Sequence, residues 1–142
     1  MRSNDGEPRE LLALADGMLS RADPTTAGLW PRASALLALA ALEASVLRLW
    51  QRRALDLEGC SMRTQLICLR SYLEDARLAA RTGHAWSALS RACHHHAYEL
   101  GPTAGELRSW FSVVSELIQT GGLSSEPPGR APSSEIGRGK RR

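Results

Sequence analysis

The feature that most constrains this chain is a run of leucine and alanine in its first half. Residues 31–54 read PRASALLALAALEASVLRLWQRRA, with apolar positions at steps of three and four. β-Branched residues, which favour strands, are scarce here and in the chain up to about residue 120, and this scarcity favours helices. The longest apolar run within residues 31–54, ASALLALAAL at residues 33–42, is shorter than the roughly 20 residues of a membrane span and is followed directly by Glu43. We therefore expect a core helix and no membrane span. Its predicted buried stripe is Leu36, Leu39, Leu42, Val46, Leu47 and Trp50.

Breakers and capping patterns predict an all-α bundle of about five to six helices. A first helix over residues 8–21 opens at Pro8, which suits a first turn. A third helix covers residues 61–72. Ser71 and Glu74 then have capping-box spacing, which predicts a fourth helix ending at Gly83.

Two helices are predicted in the rest of the body. One spans residues 84–100 and stops at Gly101 and Pro102, a capping glycine followed by a helix breaker. The other spans residues 104–120, opened by a capping box of Thr103 and Glu106.

The chain of 142 residues is expected to form one domain with two appendages. Residues 1–29 are predicted to be a peripheral helix and turn, residues 30–120 the helical domain, and residues 121–142 a disordered tail rich in Pro, Gly and Ser. The tail carries five basic and two acidic residues, which accounts for the whole formal charge of +3. Its basic end can contact nucleic acid through phosphate charge, although a solvated tail is the simpler interpretation.

Cysteine usage predicts a reduced, cytoplasmic protein. Cys60, Cys68 and Cys93 are odd in number and lack zinc-site spacing, and the start MRSNDGEPRE has no apolar core of a signal peptide.

Three consecutive histidines are the chain's most distinctive local feature, within RACHHHAYEL at residues 91–100. Each residue of a helix turns by about 100°, which would place Trp86, Leu89, Cys93 and Leu100 on a core-facing arc. A shoulder running from the solvent side to the edge of that arc would hold Arg91, His95, Ala88, Glu99, Ala92 and His96.

Three interpretations of this shoulder are open. An arginine fork with a titrating histidine suits phosphodiester cleavage of RNA, with Glu99 orienting an imidazole. A metal site fits poorly, because helical zinc ligands usually sit four residues apart, and none is expected. In the third interpretation His96 only packs at the core edge, while His94 and His95 are solvated.

Arg91, His96 and Tyr98 spell R-x-x-x-x-H-x-Y, which resembles the signature of HEPN domains and of the toxins of HEPN/MNT pairs. The stretch RASALLALAALEASVLRLW, residues 32–50, is similar to the long first core helix of those domains. Residues 30–117, above all HAWSALSRACHHHAYELGPTAGELRSW, resemble a HEPN-like family of small actinobacterial proteins.

The resemblance implies a metal-independent endoribonuclease that needs no cofactor, often with a cleft completed by a homodimer. Arg91 would clamp phosphate, His96 would be the general acid/base, and His95 and Glu99 would bind or orient substrate. Tyr98 would be the site at which a nucleotidyltransferase-type antitoxin partner adenylylates the toxin.

One position departs from the family pattern. Active members usually carry a polar residue, often Asn, directly after the arginine, and this chain has Ala92. Two functions are therefore expected as alternatives: a toxin- or stress-associated endoribonuclease, or a non-catalytic HEPN-like module that binds nucleotide, RNA or a protein partner.

Overall fold

The computed structural model describes residues 6–21, 25, 29–94 and 99–123. Within these residues it is built from helices without strands, which confirms the all-α prediction. The five helices are α1 (Glu7–Ser20), α2 (Trp30–Arg52), α3 (Met62–Tyr72), α4 (Ala76–Cys93) and α5 (Ala104–Leu123).

Helix α2 is the central element, packed against α1, α4 and α5, while α3 lies mainly on α4. The N-terminal half of α2 buries small residues, and its C-terminal half buries large ones. The buried residues are Ser34, Ala35, Ala38, Ala41, Leu42, Ser45, Val46, Leu49 and Trp50. Leu36, predicted to widen the buried stripe, is instead exposed. Alanine and serine face the neighbouring helices there because small side chains allow two helices to approach closely.

Helix α1 is more deeply integrated than a peripheral helix would be. Ala15 and Leu19 are buried in the common core, and α1 packs on both α2 and α5. Buried Ser34 of α2 donates a hydrogen bond from its Oγ to the carbonyl oxygen of Ala15, at 3.1 Å. The first helix therefore covers the small-residue half of α2.

Helix α4 replaces two predicted helices, and the predicted break at Gly83 is wrong. The N-cap is Asp75, whose Oδ1 accepts hydrogen bonds from the backbone N–H groups of Arg77 and Leu78 at 2.9 and 3.1 Å. Gly83 lies inside the helix. The helix continues past this glycine because its apolar stripe does: the buried residues are Leu78, Ala79, Thr82, Ala85 and Leu89.

The predicted end of the same helix at residue 100 is also wrong. Helix α4 ends at Cys93, and His94 leaves the helical conformation with φ −93° and ψ 86°. The three residues after Cys93 are histidines, so the apolar stripe of Leu89 and the half-buried Cys93 is not continued in the next turn. Leu100, predicted to face the core, is 99% exposed.

The start of α5 agrees with the capping box predicted from its sequence. The backbone N–H and the Oγ1 hydroxyl of Thr103 donate to Glu106 Oε2, and Thr103 Oγ1 accepts from the Glu106 N–H. These bonds hold the pKa of the Glu106 carboxyl below its ordinary value. The helix continues through Gly121 to Leu123, three residues past its predicted end, so residues 121–123 belong to α5. The rest of the predicted tail lies outside the described residues.

By length and composition α2 also qualifies as a helix able to cross a membrane, the one such helix in the described part of the chain. Half of its apolar window is buried inside the bundle. A core helix passes the same test, so the absence of a span stays a prediction.

Candidate functional site

The C-terminal end of α4 presents two basic side chains to solvent. Arg91 lies in the last turn and His94 is the C-cap residue, and both are exposed. The His94 N–H donates to the Ser90 carbonyl oxygen at 3.2 Å, which closes the helix. The guanidinium group of Arg91 compensates the partial negative charge of the helix C-terminus.

Of the predicted shoulder, the structure describes Arg91, Ala88 and Ala92 on α4, and Glu99 after the helix has ended. Arg91 is helical and exposed as expected, but Glu99 lies beyond the end of α4 and is exposed. His95, His96 and Tyr98 lie outside the described residues. The described part of the site therefore consists of Arg91 and His94, three residues apart at the end of α4, and the sequence interpretation had treated His94 only as solvated.

The side of α4 that faces away from solvent packs against the bundle. Ala92 and Cys93 are half-buried and contact the hydrophobic core. Burial raises the pKa of the Cys93 thiol, while Arg32 lowers it and Glu43 raises it, so this end of α4 lies within electrostatic reach of both α2 side chains. About two turns before Cys93, Trp86 Nε1 donates to Glu43 Oε1 at 3.0 Å and ties α4 to α2.

No cluster of three or more metal-ligating side chains occurs among the residues that the structure describes. The histidines at positions 95 and 96 fall outside that set, so the expectation of no metal stays a prediction.

A second candidate site is a cavity of about 470 Å³ between α1, α2 and α5. Three arginines line it: Arg9, Arg48 and Arg52. The remaining lining residues are small or apolar: Gly6, Pro8, Ser45, Leu49, Leu117, Ile118 and Gly121. Its volume is in the range of small-molecule sites, and its charge suits an anionic ligand.

Arg48 is the least hydrated of the three arginines. Its side chain is 13% exposed, and the buried Nη2 atom has no hydrogen-bond partner in the structure. The nearest carboxylate oxygen, Glu7 Oε2, lies 3.6 Å from Nη2 on a side chain that is mostly solvent-exposed. Buried polar groups are usually hydrogen-bonded, so this nitrogen has unused capacity for an acceptor oxygen.

Sequence reasoning missed this arginine-lined cavity. The available signal was the spacing of Arg48 and Arg52, which places both on one face of α2. That spacing is common on solvated helix faces. Only the packing of α1 brings Arg9 to the same cavity, across about forty residues of sequence.

Comparisons with known proteins give no assignment. No protein-family model matches the chain, and no curated protein or solved structure matches it either.

Proposed function

We propose that this chain is a HEPN-like helical module that binds RNA at the C-terminal end of α4. The observation that carries the proposal is the exposure of Arg91 and His94 within one helical turn of each other. An arginine fork matches phosphate oxygens, and an imidazole N–H can donate a second hydrogen bond to them. The full charge of Arg91 exceeds the partial charge of roughly −0.5 at a helix C-terminus, which by itself would repel phosphate.

Cleavage by Arg91 and His96 is the further step implied by the family resemblance. Arg91 would hold the scissile phosphate, and His96 would take and return the proton of the 2′-hydroxyl. The position after the arginine counts against cleavage, because Ala92 is half-buried against the core and offers no polar group. Binding without cleavage is therefore the form of the proposal that the described residues support better.

The binding test uses fluorescence anisotropy with a labelled single-stranded RNA over a salt series. Arg91→Gln should weaken binding and reduce the slope of log K against log salt by about 0.7, the value for one lost phosphate contact on a single strand. Arg77→Gln is the matched control, because Arg77 is exposed on the same helix at its opposite end. Equal loss in both variants would point to general charge attraction and contradict an interface at the end of α4.

The cleavage test compares wild type, His96→Ala and Arg91→Lys on a mixed RNA substrate in EDTA, with thermal melting as a check of folding. If His96 is the acid/base, its loss should lower the rate by about 10²-fold or more. Arg91→Lys should also lose activity, because a point charge cannot replace a two-pronged phosphate clamp. Equal cleavage by all three proteins would reveal a contaminating nuclease.

Binding of a small phosphate-bearing ligand in the arginine-lined cavity is the second candidate function. The buried Arg48 Nη2 without a hydrogen-bond partner specifically favours it. A phosphate group there would place acceptor oxygens among three guanidinium groups, and Leu49, Leu117 and Ile118 would contact an apolar part of the ligand.

This candidate is tested by thermal melting with inorganic phosphate, with a nucleoside monophosphate, and with sodium chloride at matched ionic strength. A ligand at a hundred times its Kd stabilises the fold by about 2.7 kcal/mol, so the melting temperature should rise with phosphate or with the nucleotide but not with chloride. The double variant Arg9→Gln with Arg52→Gln should abolish the rise, whereas Arg63→Gln on α3 should retain it. No rise at millimolar ligand, or the same rise in the double variant, would exclude the cavity.

A further inference from the structure

The outward face of α1 carries large apolar side chains that the bundle does not cover. Leu14 and Met18 are 59% and 42% exposed, and Leu29, just before α2, is 73% exposed. They line a shallow groove of about 780 Å³. We name this surface the α1 face; its residues are Glu10, Ala13, Leu14, Gly17, Met18, Arg21, Leu29, Trp30 and Ala33.

The order of residues along the helical part of this face is self-complementary for two antiparallel copies. Glu10 lies near the start of α1 and Arg21 is its C-cap residue, and helical spacing puts these two positions about 20° apart around the helix. Leu14 and Met18 lie on one side, at about 40° and 80° from Glu10. Ala13 and Gly17 lie on the other side, at about −60° and −20°.

We propose that a second copy of this chain docks on the α1 face, with the two α1 helices antiparallel about a two-fold axis beside residues 15 and 16. In such a pair, contacting residues lie on the same side of the face and at matching distances from the axis. Glu10 then meets Arg21 of the second copy, and Leu14 meets Met18 of the second copy. Ala13 meets Gly17 of the second copy, and each of these contacts occurs twice.

Each kind of contact has a physical reason to be favourable. The two end contacts join opposite charges at the exposed rim, where they fix the antiparallel orientation more than they add affinity. The Leu and Met side chains form the apolar centre. Ala13 and Gly17 are small enough to let the helix backbones approach closely on the other side, and Leu29 and Trp30 extend the apolar surface beyond α1.

The size of the face sets the expected strength of the pairing. Helix α1 has 14 residues and is about 21 Å long. An interface of this length is at the small end for stable protein pairs, so we expect a dimer that dissociates in the micromolar range.

Sedimentation equilibrium of the full chain, from about 1 to 200 µM, measures this association directly. Leu14→Glu should raise the dissociation constant by at least tenfold, because it places a charge at the apolar centre. Ile67→Glu on α3 is the matched control, since Ile67 is also a large exposed apolar residue but lies off the α1 face, and it should leave the dimer intact. Circular dichroism melts check that both variants fold.

A charge exchange tests the antiparallel arrangement. Glu10→Arg alone and Arg21→Glu alone should each weaken the dimer, because each puts like charges opposite one another. The double variant should restore association toward the wild-type value. A wild type that stays monomeric at 200 µM, a dimer insensitive to Leu14→Glu, or a double variant weaker than both single ones would each overturn the proposal.

Discussion

Cys93 shows at the scale of one residue how the bundle alters chemistry at the end of α4. Burial raises the pKa of its thiol, Arg32 partly lowers it again, and Glu43 raises it. The neutral thiol is therefore favoured in the folded state. Its contribution to stability is complete below the ordinary thiol pKa and is lost as the pH rises through the higher folded value.

Alkylation by iodoacetamide at pH 8.5 should consequently modify Cys93 more slowly in the folded protein than in denaturant, because the thiolate is the reacting form. Arg32→Gln should slow it further by removing the charge that lowers the pKa. Peptide mass mapping over time measures the modification at this residue. A faster reaction in Arg32→Gln would contradict this electrostatic account.

At the scale of the element, the start of α4 differs from the start that the capping-box spacing of Ser71 and Glu74 predicted. Asp75 caps the helix in the structure, whereas Ser71 lies inside α3. Asp75→Ala should lower the free energy of unfolding by about 1 kcal/mol, because two backbone N–H groups lose their acceptor. Ser71→Ala should change it by only a few tenths of a kcal/mol in the same urea titration. The reverse order would show that the box at Ser71 starts the helix.

Gly83 provides a second element-scale test, of the continuity of α4. A Cβ added at this position meets nothing within 4 Å, and the glycines that the structure describes have no positive φ. Gly83→Ala should therefore raise the free energy of unfolding by about 0.5–1 kcal/mol, since alanine favours a helix interior. A loss of stability in a thermal or urea melt would instead indicate that a helix ends at this glycine.

At the scale of the whole molecule, α1 belongs to the same core as the helices that follow it. Deleting residues 1–28 would expose the small-residue half of α2, where Ala35 and Ala38 are fully buried, and would remove Leu19 from the core. We expect loss of the cooperative thermal transition. Deleting residues 126–142, which begin after α5 has ended, should leave the melting temperature within about 2 °C of the wild-type value, as expected for a change of under 0.5 kcal/mol. A cooperative melt of the first deletion would restore the interpretation of α1 as peripheral.

The α4 region shows which part of the candidate site could be predicted from the sequence. Composition and spacing were sufficient to place Arg91 on a helix and to make it solvent-exposed. They could not locate the helix end, because histidine neither breaks nor strongly favours a helix and Gly101 with Pro102 offered a plausible stop several residues later. The core contacts of Leu89, Ala92 and Cys93 support α4 up to its last residue, and the core that they contact includes residues of other helices.

By itself the sequence determined the all-α class, the position of the core helix α2 and the capping box of Thr103 and Glu106, because these depend on neighbours within about four residues. Only the tertiary structure decided which helix faces are covered. Burial of apolar side chains favours the continuation of α4 through Gly83. The packing of α1 on α2 places Arg9 and Arg48 at the same cavity and leaves Leu14 exposed. These outcomes join residues far apart in the chain, and no local pattern encodes the free energy of such contacts.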